Sequence, residues 1–173
     1  MQMKRITFFT ISLFIQVFAL NSCMPDKKDS DIKTKPVLIR EQTCKNNPIE
    51  IYSLTVKAKN WQTVNSTERF LDIAIPGITE EIVNDGLVMM YLSEGDKYLA
   101  LPFNYYQVKS ILSFQPSYEK GHIYITIFGN FILNINEYYQ FKLIVVPHAT
   151  VAKNKNLNWK NYDVVKKVLI LED

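Results

Sequence analysis

From Ile49 onward, apolar and polar residues exchange places at about every second position, the period of a β-strand with one buried face. Glu50 to Lys57 predicts a strand with Tyr52, Leu54 and Val56 on one face. Phe70 to Ile75 predicts a second, in which Leu71, Ile73 and Ile75 alternate with Asp72 and Ala74 and Pro76-Gly77 ends the run. Leu87 to Leu92 is apolar throughout, the pattern of a strand buried on both faces. Ser93-Glu94-Gly95-Asp96 is a turn, and Lys97 to Phe103 is its returning hairpin partner. Ser110 to Gln115 and His122 to Phe128 follow, joined through Pro116 and Gly121. Tyr138 to Val146, with Phe141, Leu143 and Val145 on one face, completes seven strands. Asn60 to Thr67 reads as a turn-rich loop that carries Trp61.

Two stretches break the period. Thr79-Glu80-Glu81-Ile82-Val83-Asn84-Asp85-Gly86 predicts one or two helical turns. Thr79 caps the free N–H groups, the two glutamates sit at the positive end of the dipole, and Gly86 supplies a left-handed stop. Near the C-terminus, Tyr162, Val165 and Leu169 fall at i, i+3 and i+7 behind a cap candidate at Asn161. That spacing predicts a short terminal helix packed on one end of the fold; a strand over Val164 to Leu171 is the alternative, given its β-branched residues. The expected architecture is all-β, an antiparallel β-sandwich that is immunoglobulin-like in the loose sense, with a helical turn near 79–85 and a short C-terminal helix. Alternating βα units are absent, which argues against a Rossmann or barrel fold.

The N-terminus follows another pattern. Lys4 and Arg5 precede an apolar run from Ile6 to Leu20, interrupted by Thr7, Thr10, Ser12 and Gln16. A basic start followed by a short apolar run has the form of an export signal, and the run falls short of the roughly 20 residues that span a bilayer. It closes on Leu20-Asn21-Ser22-Cys23. Leu20 three positions before the cysteine, small Ser22 beside it and Cys23 itself resemble the lipobox of bacterial lipoproteins. The resemblance implies cleavage before Cys23, diacylglycerol on its sulfur and anchoring to a membrane lipid, with the outer membrane as the expected location. Two or three acyl chains hold a protein stably, since each buried CH₂ contributes about 0.8 kcal/mol. The expected organisation is a signal peptide over 1–22, a lipidated cysteine and flexible tether over 23–48, and the sandwich over 49–173. Met24 to Pro48 is polar and of mixed charge, as a linker is. Val37-Leu38-Ile39 within it has the composition of a brief edge strand.

Once the signal is set aside, the charge balance looks different. The whole chain carries a formal net charge of +3, but from Ile49 onward 12 Lys/Arg face 13 Asp/Glu. No basic stripe remains, so nucleic acid is not an expected partner. With Cys23 lipidated, Cys44 has no intramolecular disulfide partner and reads as a solitary thiol near the domain edge.

Catalytic patterns are missing. His122 and His148 stand apart without metal-ligand spacing, both reading as exposed turn residues; no Gly-x-Ser-x-Gly elbow or glycine-rich phosphate loop is present. Glu80-Glu81 is accounted for by helix capping. No cofactor or metal is expected. Aromatic residues are the remaining clue, with 10 Tyr, 10 Phe and 2 Trp in the chain. Trp61, Tyr105 and Tyr106 are the candidate ligand-binding residues; with Tyr118 and Tyr139 they fall in segments expected at the sandwich ends, where exposed rings stack on sugars or proteins.

A second resemblance covers most of residues 49–168. Ile75-Pro76-Gly77-Ile78-Thr79-Glu80-Glu81-Ile82, Leu99-Ala100-Leu101-Pro102 and Asn158-Trp159-Lys160-Asn161-Tyr162-Asp163-Val164-Val165-Lys166 are similar to small exported Bacteroidota lipoproteins of unknown function. It implies a fold and no activity. The leading expectation is a non-enzymatic, lipid-anchored envelope protein whose sandwich binds a partner or has a structural role. The alternatives are a carbohydrate-binding module that uses loop aromatics and a hydrolase with a dispersed site.

Overall fold

The structure, a computed structural model, describes the backbone of residues 37–42 and, in full, residues 49–135 and 138–169. The signal segment, Cys23, the tether up to Pro36 and Cys44 lie outside the described residues.

Among the described residues ten strands form two antiparallel sheets, as expected of a β-sandwich. In chain order they are β1 (Val37–Gln42), β2 (Glu50–Val56), β3 (Gln62–Asn65), β4 (Glu68–Ala74), β5 (Leu87–Glu94), β6 (Lys97–Ala100), β7 (Phe103–Gln107), β8 (Ser110–Glu119), β9 (His122–Gly129) and β10 (Tyr139–Val146). Sheet A runs β1-β2-β10-β5-β6 and sheet B runs β3-β4-β9-β8-β7. The described residues also form three α-helices: α1 (Glu80–Asp85), α2 (His148–Lys153) and α3 (Tyr162–Leu169).

The alternation read from the sequence is the inner core. Tyr52, Leu54 and Val56 of β2, Leu71 and Ile73 of β4, Ile123, Ile125 and Ile127 of β9, and Phe141, Leu143 and Val145 of β10 meet between the sheets. A second core lies on the outside of sheet A. Ile51, Tyr91, Ile144 and Val146 point outward there and are covered by Tyr162, Val165 and Leu169 of α3. Both faces of β5 and β10 are therefore buried, which explains their unbroken apolar runs.

Several expectations need revision. The C-terminal helix forms with the expected face, and Asn161 caps it through its Oδ1, which accepts from the Val164 N–H at 3.2 Å. It lies across the outer face of sheet A rather than at one end, because that face offers an apolar surface matching its own. Tyr91 fastens the layer by donating its hydroxyl hydrogen to the Trp159 carbonyl at 2.6 Å, and burial pushes its phenol well above the ordinary tyrosine value. Thr79 caps α1 as expected, accepting from the Ile82 N–H at 3.3 Å. Gly86 is not a left-handed stop, since its φ is −85° and its backbone extended. It is required for closeness: a Cβ there would lie 2.8 Å from the Val146 carbonyl oxygen and 2.9 Å from the Ile82 Cα.

Strand boundaries shift for similar local reasons. The expected strand from Lys97 to Phe103 is two strands in different sheets, parted at Leu101-Pro102. Proline has no N–H with which to continue the ladder. Conversely, β8 runs straight through Pro116 to Glu119. Pro116 pairs with Ile125 of β9, but the pairing of β8 with β7 stops at Phe103↔Phe114, so the other side of Pro116 has no neighbouring strand and a missing N–H is tolerated there. The turn is made instead by Lys120-Gly121, with Gly121 at φ 81°. The loop around Trp61 contains a 3₁₀ turn, Ala58–Asn60, and the short β3. Finally, β1 pairs with β2 from Val37↔Thr55 to Gln42↔Glu50, so sheet A begins before the expected boundary at Ile49.

Candidate functional site

The two ends of the sandwich differ in chemistry. One end gathers the start of β10, the turn after β2, the β5–β6 turn and the β7–β8 turn. Here the aromatic residues interlock. Tyr139 meets Trp61 edge to face at 6.1 Å and Phe114 at 5.2 Å. Tyr105 meets Phe103 at 4.9 Å and Phe114 at 6.0 Å, again near perpendicular. Edge-to-face pairing sets the positive rim of one ring against the negative face of the next, which fixes the rings as walls.

Those walls enclose a pocket of about 250 Å³ lined by Tyr105, Gln107, Ser110, Leu112, Phe114, Phe131 and Tyr139. Its surface is mostly apolar, with the Ser110 hydroxyl and the Gln107 amide as its polar side chains besides the tyrosine hydroxyls. A wider basin of about 940 Å³ adjoins it, between Lys57–Lys59, Ser93, Gly95 and Tyr138–Gln140. The basin is larger but more open to solvent and more polar than the recess, so the smaller recess is the better candidate for holding a ligand.

The three residues singled out from the sequence do not form one surface. Trp61 is only 7% exposed and belongs to the inner core; its Nε1 has no hydrogen-bond partner among the described residues. Tyr105 and Tyr106 are neighbours in a strand and therefore project to opposite faces. Tyr105 lines the pocket, whereas Tyr106 stands 73% exposed on the outside of sheet B. Phe114, Phe131 and Leu112 were not singled out. The alternation of β8 marks Phe114 as inward-facing but carries no sign that a recess opens beside it.

The carboxylate of Glu94, in the strand end before the β5–β6 turn, acts on the Tyr105 phenol. Burial first, then a hydrogen bond with Glu94 and the charge of Glu94, push the Tyr105 phenol up to about 12. A raised phenol favours the neutral form in the folded state. Its contribution is full below the ordinary value of 10.0 and is lost as pH rises through about 12. The urea midpoint of the wild-type protein is expected to fall across that window, and Tyr105→Phe to flatten part of the fall. Identical pH slopes in the two proteins would contradict this. The remainder belongs partly to Tyr124, pushed up to about 12 by its hydrogen bond to Glu119 and then by burial.

The opposite end carries both histidines. His122 opens β9 and places Nδ1 2.8 Å from Asp72 Oδ1, and His148 opens α2 with Nδ1 3.1 Å from the Asp85 carbonyl oxygen. His122 is thus a half-buried strand residue rather than an exposed turn residue, while His148 is exposed at a helix start. Among the described residues no group of three or more His, Cys, Asp or Glu is placed to hold a metal ion.

Compared with known proteins, the chain matches no family model, no curated protein and no solved structure.

Proposed function

We propose that the chain is a lipid-anchored protein of the bacterial cell envelope whose β-sandwich is a non-enzymatic binding domain. The observation that carries this reading is the boundary at Leu20-Asn21-Ser22-Cys23, where a basic start, an apolar run and a small-residue cleavage site agree. The aromatic pocket supports the binding half. Apolar ring walls with few polar groups suit an apolar or aromatic group of a ligand. They supply no paired acid and base for chemistry on it. The alternative, a carbohydrate-binding module that uses loop aromatics, is less well supported, because Trp61 is buried and Tyr105 and Tyr106 face opposite sides of their strand.

The anchor is tested by growing cells with a labelled fatty acid. Label is expected in the wild-type protein and absent from Cys23→Ala. Equal labelling of the two would refute the assignment.

A further inference from the structure

We infer that the pocket end of the sandwich is a membrane-docking face, seated against the bilayer that holds the lipid anchor. The inference rests on the proposed anchor only for the direction from which the bilayer is met.

Exposed apolar residues are concentrated at this end. Val108 at the β7–β8 turn is 103% exposed, Ile132 after β9 76%, Tyr106 73% and Tyr138 before β10 62%. Val108, Ile132 and Tyr138 each adjoin a residue that lines the recess, Gln107, Phe131 and Tyr139 respectively, while Tyr106 stands on the outer face of sheet B at the same end of β7. The segment that carries Ile132 is tied to the β7–β8 turn by Asn130, whose Nδ2 donates to the Lys109 carbonyl at 2.9 Å. Fully exposed side chains on loop tips gain nothing from the fold itself. Tyrosine and short aliphatic tips at one pole are the composition that enters the headgroup boundary.

Charge is arranged to match. Lys57, Lys59, Lys97 and Lys109 are exposed at the pocket end, against exposed Glu94 and Asp96, while Glu68 and Arg69 at the start of β4 offset each other. The opposite end holds Asp72, Glu80, Glu81, Asp85 and Glu119, with Lys120 paired to Glu80 at 3.0 Å. A cationic pole around apolar tips fits an anionic lipid surface, and the acidic pole would be repelled from it.

The chain enters the fold at the same end. Val37, the first residue of β1, pairs with Thr55, next to Val56↔Tyr139 and the Lys57–Lys59 turn. Cys23 precedes Val37 by 14 positions (37 − 23), at most about 50 Å of chain. The anchored segment therefore arrives at the pole that carries the apolar tips and lysines, with no need to pass around the sandwich.

The test uses the full chain as purified from cells, reconstituted in phosphatidylcholine–phosphatidylglycerol vesicles containing brominated lipid. Val108→Trp and Ile132→Trp add reporters at exposed positions, and Val83→Trp adds one at the far end; the wild-type emission of Trp61 and Trp159 is subtracted. Emission at positions 108 and 132 is expected to be quenched and that at 83 spared. Lys57→Glu combined with Lys59→Glu and Lys109→Glu is expected to reduce the quenching and remove its salt dependence. Absent quenching at 108 and 132, quenching equal to that at 83, or quenching unchanged by the lysine substitutions would overturn the inference. Fatty-acid content is read on the same samples, so the two readings fail separately. Labelled protein without quenching removes the docking face and leaves the anchor, whereas unlabelled protein that is still quenched does the reverse.

Discussion

Phe114→Ala is expected to destabilise the protein by about 3–5 kcal/mol, a large part of the roughly 5–15 kcal/mol that holds a typical domain folded. The ring is fully buried and joins the two sheets: it belongs to β8 of sheet B and packs 5.2 Å from Tyr139 and 6.5 Å from Phe141 of sheet A. Truncation removes the transfer free energy of the ring and leaves a cavity between layers whose backbones are fixed by their ladders. Because Phe114 also lines the recess, the loss extends to the pocket. Urea unfolding followed by intrinsic fluorescence measures it. A cost below about 1 kcal/mol, the range of ordinary surface changes, would mean that the ring does not bridge the sheets.

The second large effect lies on the other side of sheet A. Val165 is fully buried beneath α3, among Ile51, Tyr91 and Ile144. Val165→Asp puts an unpaired carboxylate into that layer, a change that costs roughly 3–5 kcal/mol when the charge finds no partner. The fold has a cheaper escape, because α3 packs on the outer face of sheet A and can leave it while the inner core stays closed. The expected result is loss of amide protection in α3 and along the outward face of β10, with the β4–β9 core protected. Val164→Asp is the control: its side chain is 38% exposed, and its effect is expected within about 0.5 kcal/mol. Equal effects at 164 and 165 would place the segment in some arrangement other than this helix face.

These two residues show how far the sequence reached. The spacing of Tyr162, Val165 and Leu169 announced a helical face, and Phe114 sat in an alternating run, so the elements and their buried sides were legible. Period is a local property, and a strand or helix buries its apolar face wherever it is packed. What covers that face depends on distant residues. Placement of α3 required knowing that Ile51, Tyr91, Ile144 and Val146 would project together from three strands, which no single window contains. Pro102 and Pro116 illustrate the same limit. One parts two strands and the other lies within one, and the difference is whether a neighbouring strand needs the missing N–H.

The candidate site was less legible than the fold. Adjacent tyrosines invite reading as a pair, yet in a strand adjacency separates them, and Tyr105 and Tyr106 end on opposite faces. Trp61 looked like a loop aromatic because its loop is polar, but it plugs the inner core against Tyr139. The recess is built by residues up to 34 positions apart (139 − 105), whose convergence has no spacing signature. The polarity of the two ends is spread in the same way, over turns that meet only after folding.

Everything proposed about the protein's place in the cell depends on the chemistry of Cys23. Mass spectrometry of the N-terminal peptide of the protein isolated from membranes addresses it directly. The account requires a chain that begins at Cys23 and carries diacylglycerol on the sulfur, with residues 1–22 removed. A membrane-derived chain that retains residues 1–22, or that bears an unmodified Cys23 thiol, would contradict it.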